Sequence, residues 1–220
     1  MSTNYESVSK INSLKSHIES ATNKNYGDLT QGVQELKNLY VKYGKSFDDI
    51  VGHIDIPLTC TKIRHYCFYG IVNLTSVTIP NSITTIGNHA FALCINLKNI
   101  TISDGVTTIG DGAFNYCIGL TSITIPDSVT SIGNSAFSDC SSLTSVTIGN
   151  SVTTINSGAF GDCTNLTHIY LNPTTPPSLG NTYAIPNTTT IHVPVGSGDA
   201  YKSATNWSYH SSRIVEDIQL

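Results

Sequence analysis

Six cysteines and seven histidines are the residues of this 220-residue chain best suited to hold a metal or to move protons, with 15 acidic residues available to assist them. Their spacing matches none of the short motifs that carry such chemistry. There is no HExxH, no GxSxG, no GxxxxGK followed by Ser or Thr, and no CxxC. Gly110-x-Gly112 leads to Asn115, so it is no dinucleotide loop. Cys94, Cys117, Cys140 and Cys163 recur at one repeat position, and sulfurs strung along a column cannot surround one ion tetrahedrally. They read as free buried thiols filling small apolar spaces, close enough between neighbours for an occasional disulfide. His53 and His168 lie five repeats apart, roughly 24 Å at a strand spacing of about 4.8 Å, and cannot share a site. His65 and His89, in adjacent repeats and one position out of step, read as surface residues. The aspartates fall mainly on turns, where they bond solvent and backbone. No catalytic residue, no metal site and no cofactor is expected.

The pattern that scatters these groups also organises the chain. One 23-residue sentence is written four times between 74 and 165, as LTSVTIPNSITTIGNHAFALCIN, LKNITISDGVTTIGDGAFNYCIG, LTSITIPDSVTSIGNSAFSDCSS and LTSVTIGNSVTTINSGAFGDCTN. A worn copy, VGHIDIPLTCTKIRHYCFYGIVN, precedes them at 51–73, and a sixth opens at Leu166 as LTHIYLN. Stacked identical units place each repeat position in a column along a solenoid. Leu74, Val77 and Ile79 fit an LxxLxL strand with its apolar side inward, and Ser76 and Thr78 then face out. A second extended run sends Ile83 and Ile86 inward, Ala90 lets the chain pass close, and Phe91 fills the coil. Phe68, Phe91, Phe114, Phe137 and Phe160 form a core column, each ring contributing about 1.5–3 kcal/mol on burial. Gly87, Gly110 and Gly133 are expected to supply turns of positive φ.

The SIT(T/S)IGxxAFxxC core with its LTSVTIP strand resembles the BspA-like, or Treponema pallidum type, leucine-rich repeat family, over about half the chain. The run from Pro173 to Ile214, with TPPSLG, TTIHVP and GDAYKSATNW, is similar to the segment that ends many bacterial members. The resemblance implies a non-catalytic surface or adhesion module. The expected fold is mainly β with an α cap: a solenoid of 23-residue leucine-rich repeats over 51–172, an N-terminal helical hairpin over 1–50 and a C-terminal αβ cap over 173–220.

The N-terminal hairpin follows from helical spacing of Tyr5, Val8, Ile11, Leu14 and Ile18 over 4–22, and of Leu29, Val33, Leu36, Leu39, Tyr40 and Tyr43 over 29–43. It would either cover the open end of the first coil or attach the chain to another copy or a larger assembly. YGDLTQGVQELKNLY resembles N-terminal segments of repeat proteins from gut bacteria and their phages. Beyond Tyr170, Thr188 to Val193 reads as a strand, Ser197 as the cap of a short helix carrying Tyr201, Trp207 as packed beneath it, and Arg213 to Ile218 as a final strand or tail. This end is either a cap or a binding tip built on Tyr183, Tyr201, Trp207 and Tyr209.

A net charge of −4, with Lys98 facing five aspartates between 74 and 165, leaves little to neutralise a phosphate backbone, so nucleic acid is excluded as a partner. MSTNYESVSKINS lacks the apolar stretch of a signal peptide, and no run approaches the roughly 18 apolar residues of a membrane span. The expected location is therefore cytoplasmic by default, or the surface of a cell or virion reached through assembly. Contacts to a ligand would come from the outward columns: Ser76, Asn99, Ser122, Ser145 and His168 in one, Thr78, Thr101, Thr124, Thr147 and Tyr170 in the next. Those columns are either a threonine ladder that only stabilises the sheet or a hydroxyl array recognising a protein or glycan, with Tyr170 stacking on a sugar. The leading expectation is recognition or adhesion; the alternative is a structural component or decoration of an assembly such as a phage virion.

Overall fold

Each copy of the repeat closes one coil because its apolar positions all reach the inside: Leu74, Val77, Ile79, Ile83, Ile86, Phe91 and Cys94 are at most 5% exposed. The structure, a computed structural model, describes residues 52–56 and 58–219. The helical segments expected at 4–22 and 29–43 lie outside the described residues.

Every coil contributes two parallel strands. The longer ones are β1 (Gly52–Asp55), β3 (Leu74–Thr78), β5 (Asn99–Thr101), β7 (Ser122–Ile125), β9 (Ser145–Ile148) and β11 (His168–Leu171). They alternate with two-residue strands β2 (Lys62–Ile63), β4 (Thr85–Ile86), β6 (Thr108–Ile109), β8 (Ser131–Ile132), β10 (Thr154–Ile155) and β12 (Ser178–Leu179). The even strands form one unbroken six-stranded sheet, pairing Thr85 with Thr108 and Thr108 with Ser131. Its outer hydroxyls bond along the solenoid axis, Thr107 Oγ1 donating to Thr84 O and Thr130 Oγ1 to Thr107 O at 3.1 and 3.2 Å. The result is a mainly β, parallel-strand solenoid of 23-residue spacing.

Between the sheets the five phenylalanine rings stack with centroids 5.0–5.3 Å apart and planes within 9° of parallel. The backbone holds this column in step: Phe91 N–H donates to Ala113 O and Phe114 N–H to Ala136 O, each at 2.7 Å. The cysteine column brackets it from the other side. Cys117 Sγ donates to Phe91 O at 3.2 Å and Cys140 Sγ to Phe114 O at 3.3 Å. All six cysteines are free. Burial pushes the Cys94 thiol up to about 12, which removes the thiolate that reactive cysteines need.

The glycine expectation is corrected. Positive φ falls on two other columns, Tyr66, His89, Gly112, Ser135, Gly158 and Gly70, Leu93, Tyr116, Asp139, Asp162. Gly87, Gly110 and Gly133 are glycine because the coils touch there: a Cβ would lie 2.6 Å from His65 N, 2.7 Å from Asn88 N and 2.5 Å from Asp111 N.

Past the repeats, β13 (Thr190–Pro194) and β14 (Ile214–Ile218) continue the odd-strand sheet in parallel beyond β11. Between them runs α1 (Gly198–Ser203). Ser197 precedes it, but its hydroxyl donates to Pro194 O rather than capping the helix. Trp207 is fully buried, its Nε1–H donating to Pro177 O at 2.7 Å, and it meets the buried Tyr201 ring edge-on at 5.2 Å. Tyr183 and Tyr209 are exposed, so the four aromatics considered for a tip do not form one surface.

Candidate functional site

The odd strands carry every residue expected to meet a ligand, and alternation along each strand turns those side chains outward. Thr78, Asn99, Thr101, Ser122, Thr124 and His168 are exposed; Ser76, Ser145, Thr147 and Tyr170 are half-buried. In register, Ser76 lies beside Asn99 and Thr78 beside Thr101, while Ser122 and Thr124 lie beside Ser145 and Thr147.

The ladder between those two groups is missing. The odd strands divide into a sheet β1-β3-β5 and a sheet β7-β9-β11-β13-β14. Where coils are joined, Lys98 N–H donates to Thr75 O at 3.0 Å and Thr144 N–H to Thr121 O at 2.9 Å. Thr121 N–H makes no such bond to Lys98 O. Likewise Asn150 N–H donates to Asp127 Oδ1 at 2.7 Å, but Asp127 N–H makes no equivalent bond to Asp104. Behind this face the same two coils stay joined, Thr130 N–H donating to Thr107 O at 2.9 Å and Phe114 stacking on Phe137 at 5.0 Å.

Two features of the sequence coincide with the break. Pro126 has no N–H, whereas Gly149 and Asn172 in its column donate to Ile125 O and Ile148 O at 2.8 and 3.0 Å. Pro80 shares that column, yet β3 pairs with β1, so proline alone does not open the ladder. On the other side Lys98 and Asn99 replace the Thr-Ser of the neighbouring copies, and Asn is a poor strand former. The opening is a cleft of about 890 Å³ with Asn99, Thr101, Ser122, Thr124 and Thr147 in its lining, and Lys98, Asp104 and Asp127 among its charged groups. No aromatic ring lines it. The sequence treats this face as uniform, so the cleft is invisible in the repeat itself.

The two ends of the face carry its distinctive groups. At β1, His53 Nδ1 meets Ser76 Oγ at 2.7 Å, and Nε2 meets Asp55 Oδ1 at 2.9 Å and Thr78 Oγ1 at 3.0 Å. Hydroxyl, imidazole and carboxylate are thus in line, but the His53 and Asp55 side chains are 48% and 63% exposed. Water competes for every bond of that chain, and nothing excludes it from the hydroxyl as an acyl-transfer site requires. At the other end, Tyr170 lies against His192, with ring centroids 4.4 Å apart and planes 18° from parallel. That face of Tyr170 is therefore occupied and cannot stack on a sugar. His65 and His89 are not brought together: His65 Nδ1 accepts from Asn88 N–H at 2.7 Å, while His89 lies against Tyr66.

A family model described as the BspA type leucine rich repeat region matches residues 53–190 in 6 copies. Among solved structures, the chain is similar to the T. pallidum leucine rich repeat protein at 38% identity and a TM-score of 0.53, over 54% of this chain and 58% of that one. It is similar to a leucine rich cell surface protein of Faecalibacterium prausnitzii at 36% identity and a TM-score of 0.53, over 54% of this chain and 31% of that one. The pneumococcal vaccine antigen PcpA shares the fold at 23% identity and a TM-score of 0.63, over 74% of this chain and 39% of that one. The chain thus spans less than two thirds of each of these three. No curated protein matches it.

Proposed function

Because the chain belongs to the BspA-type leucine-rich repeat family, we propose that it is a non-catalytic recognition module that binds a protein or glycan through the odd-strand face. The observation that carries this reading is the interruption between β5 and β7. An otherwise regular ladder is left open between β5 and β7, where outward hydroxyls surround a cleft of about 890 Å³. A face that served only as a stabilising ladder would gain from closing it, since each completed hydrogen bond contributes about 0.5–1.5 kcal/mol. In this reading the chain is displayed at a surface, like the leucine rich cell surface protein of F. prausnitzii to which it is similar. Residues 1–50 cap or anchor the solenoid, and residues 173–220 close its far end.

Thr101 and Thr124 flank the opening and are exposed, so long charged side chains there fill the cleft without disturbing the core. Thr101→Lys with Thr124→Lys is expected to lower retention on the partner surface, bacterial envelopes or immobilised glycans, at least tenfold. The far-UV circular dichroism and the thermal midpoint should stay unchanged. Undiminished retention by a folded double variant would show that the cleft takes no part in binding, as expected of a spacer in a larger assembly.

A further inference from the structure

A second set of groups meets at the far end of the same face, independent of the cleft. β13 lies outside the repeat, yet it pairs with β11 in register and sets His192 beside Tyr170. His168 Nδ1 and His192 Nε2 are 3.0 Å apart, and His192 Nδ1 is 2.7 Å from Asp217 Oδ2 on β14. An ionised carboxylate only accepts, so the His192 proton sits on Nδ1 and Nε2 presents a lone pair toward His168. The Tyr170 ring against one side and Asp217 behind hold that imidazole in place. His192 is 9% exposed, whereas His168 is open to solvent, so a ligand reaches the pair from the His168 side.

We propose that His168 Nδ1 and His192 Nε2 form a two-imidazole binding site for a divalent transition-metal ion such as Zn²⁺, Ni²⁺ or Cu²⁺, with Asp217 as the carboxylate behind the first ligand. Two nitrogens bound to tetrahedral Zn²⁺ at about 2.0–2.1 Å stand about 3.4 Å apart. The two nitrogens now meet head-on, with ring centroids 5.2 Å apart, so the exposed His168 side chain must swing off that axis, a rotamer change, for both lone pairs to meet one ion. Among the described residues His168 Nε2 has no partner, so the proton on Nδ1 can move there and leave a second lone pair without net proton release. The arrangement of Asp217, His192 and metal is the carboxylate–histidine pairing that orients a ligand and raises its basicity. Imidazole donors favour these ions over Mg²⁺ and Ca²⁺, which take oxygen ligands. Among the described residues no third His, Cys, Asp or Glu completes a cluster, and Glu216 is engaged by Gly198 N–H. The remaining coordination positions belong to water, which makes the site open and exchangeable.

The test is calorimetric titration of the full chain with ZnCl₂, and with MgCl₂ as the hard-ion control. The expected result is a saturable Zn²⁺ event, absent with Mg²⁺, that His168→Gln and His192→Gln each abolish and Asp217→Asn weakens about tenfold. His53→Gln, at the other end of the face, should leave it intact. His168 is exposed, so that variant keeps its fold, and an unchanged thermal midpoint without metal checks this. No Zn²⁺ event, or one that survives both His168→Gln and His192→Gln, overturns the site.

Discussion

Phe114→Ala is expected to lower the unfolding free energy by about 3–5 kcal/mol, a large part of the margin on which a domain of this size stands. Phe114 is fully buried and stacked on both sides, 5.2 Å from Phe91 and 5.0 Å from Phe137. Its amide donates to Ala136 O, and its carbonyl accepts from Cys117 N–H and from Cys140 Sγ. A cavity there cannot be filled by collapse, because both sheets and the rings above and below are tied coil to coil. Solenoid stability is carried by interfaces between neighbouring units, so removing the middle ring weakens two interfaces at once. Urea denaturation of the wild type and the variant measures the effect, with Phe114→Leu as the control that keeps most of the volume. A loss below about 1 kcal/mol for the alanine variant would contradict the stacked column as the main support of the core.

Acid should destabilise the C-terminal end through one histidine. His210 is fully buried and its Nε2 has no partner among the described residues, while the Arg213 guanidinium donates to Nδ1. Arg213 is held in turn by Pro186 O and Thr189 O at 2.7 and 2.8 Å. Burial, and then the Arg213 charge, lower the His210 pKa to about 4 from its ordinary 6.5. The folded protein therefore keeps this imidazole neutral where the unfolded chain protonates it. Stability from this group is fully present above pH 6.5 and is lost as the pH falls toward 4, by up to about 3 kcal/mol. Denaturation midpoints at pH 7 and pH 4.5 should diverge more for the wild type than for His210→Gln, which cannot take the proton. Equal pH slopes for the two proteins would refute the assignment.

Residues whose surroundings are other copies of themselves were legible in the sequence. Leu74, Val77, Ile79 and Phe91 repeat with their neighbours in register, so one period defines their packing. The free thiols of the cysteine column follow from the same logic. Gly87, Gly110 and Gly133 mislead in the sequence because a positive φ and a close approach between coils both call for glycine, and only three dimensions separate them. The break between β5 and β7 coincides with Pro126, which the repeat also carries at Pro80, and with Lys98 and Asn99, a small departure inside a strong pattern. His192 and Asp217 meet His168 through β13 and β14, which share no period with the repeats. Tyr170 reads as an open ring until His192 is placed on it.

In the proposed function, recognition belongs to the solenoid rather than to the segment that precedes it. Capture of the full chain and of a fragment beginning at Asp48, side by side on bacterial envelopes and immobilised glycans, tests this most directly once circular dichroism shows the fragment folded. Equal retention of both, lost with Thr101→Lys and Thr124→Lys, is the predicted result. Retention of the full chain alone, unaffected by the two lysines, would place binding in residues 1–47 and contradict the account.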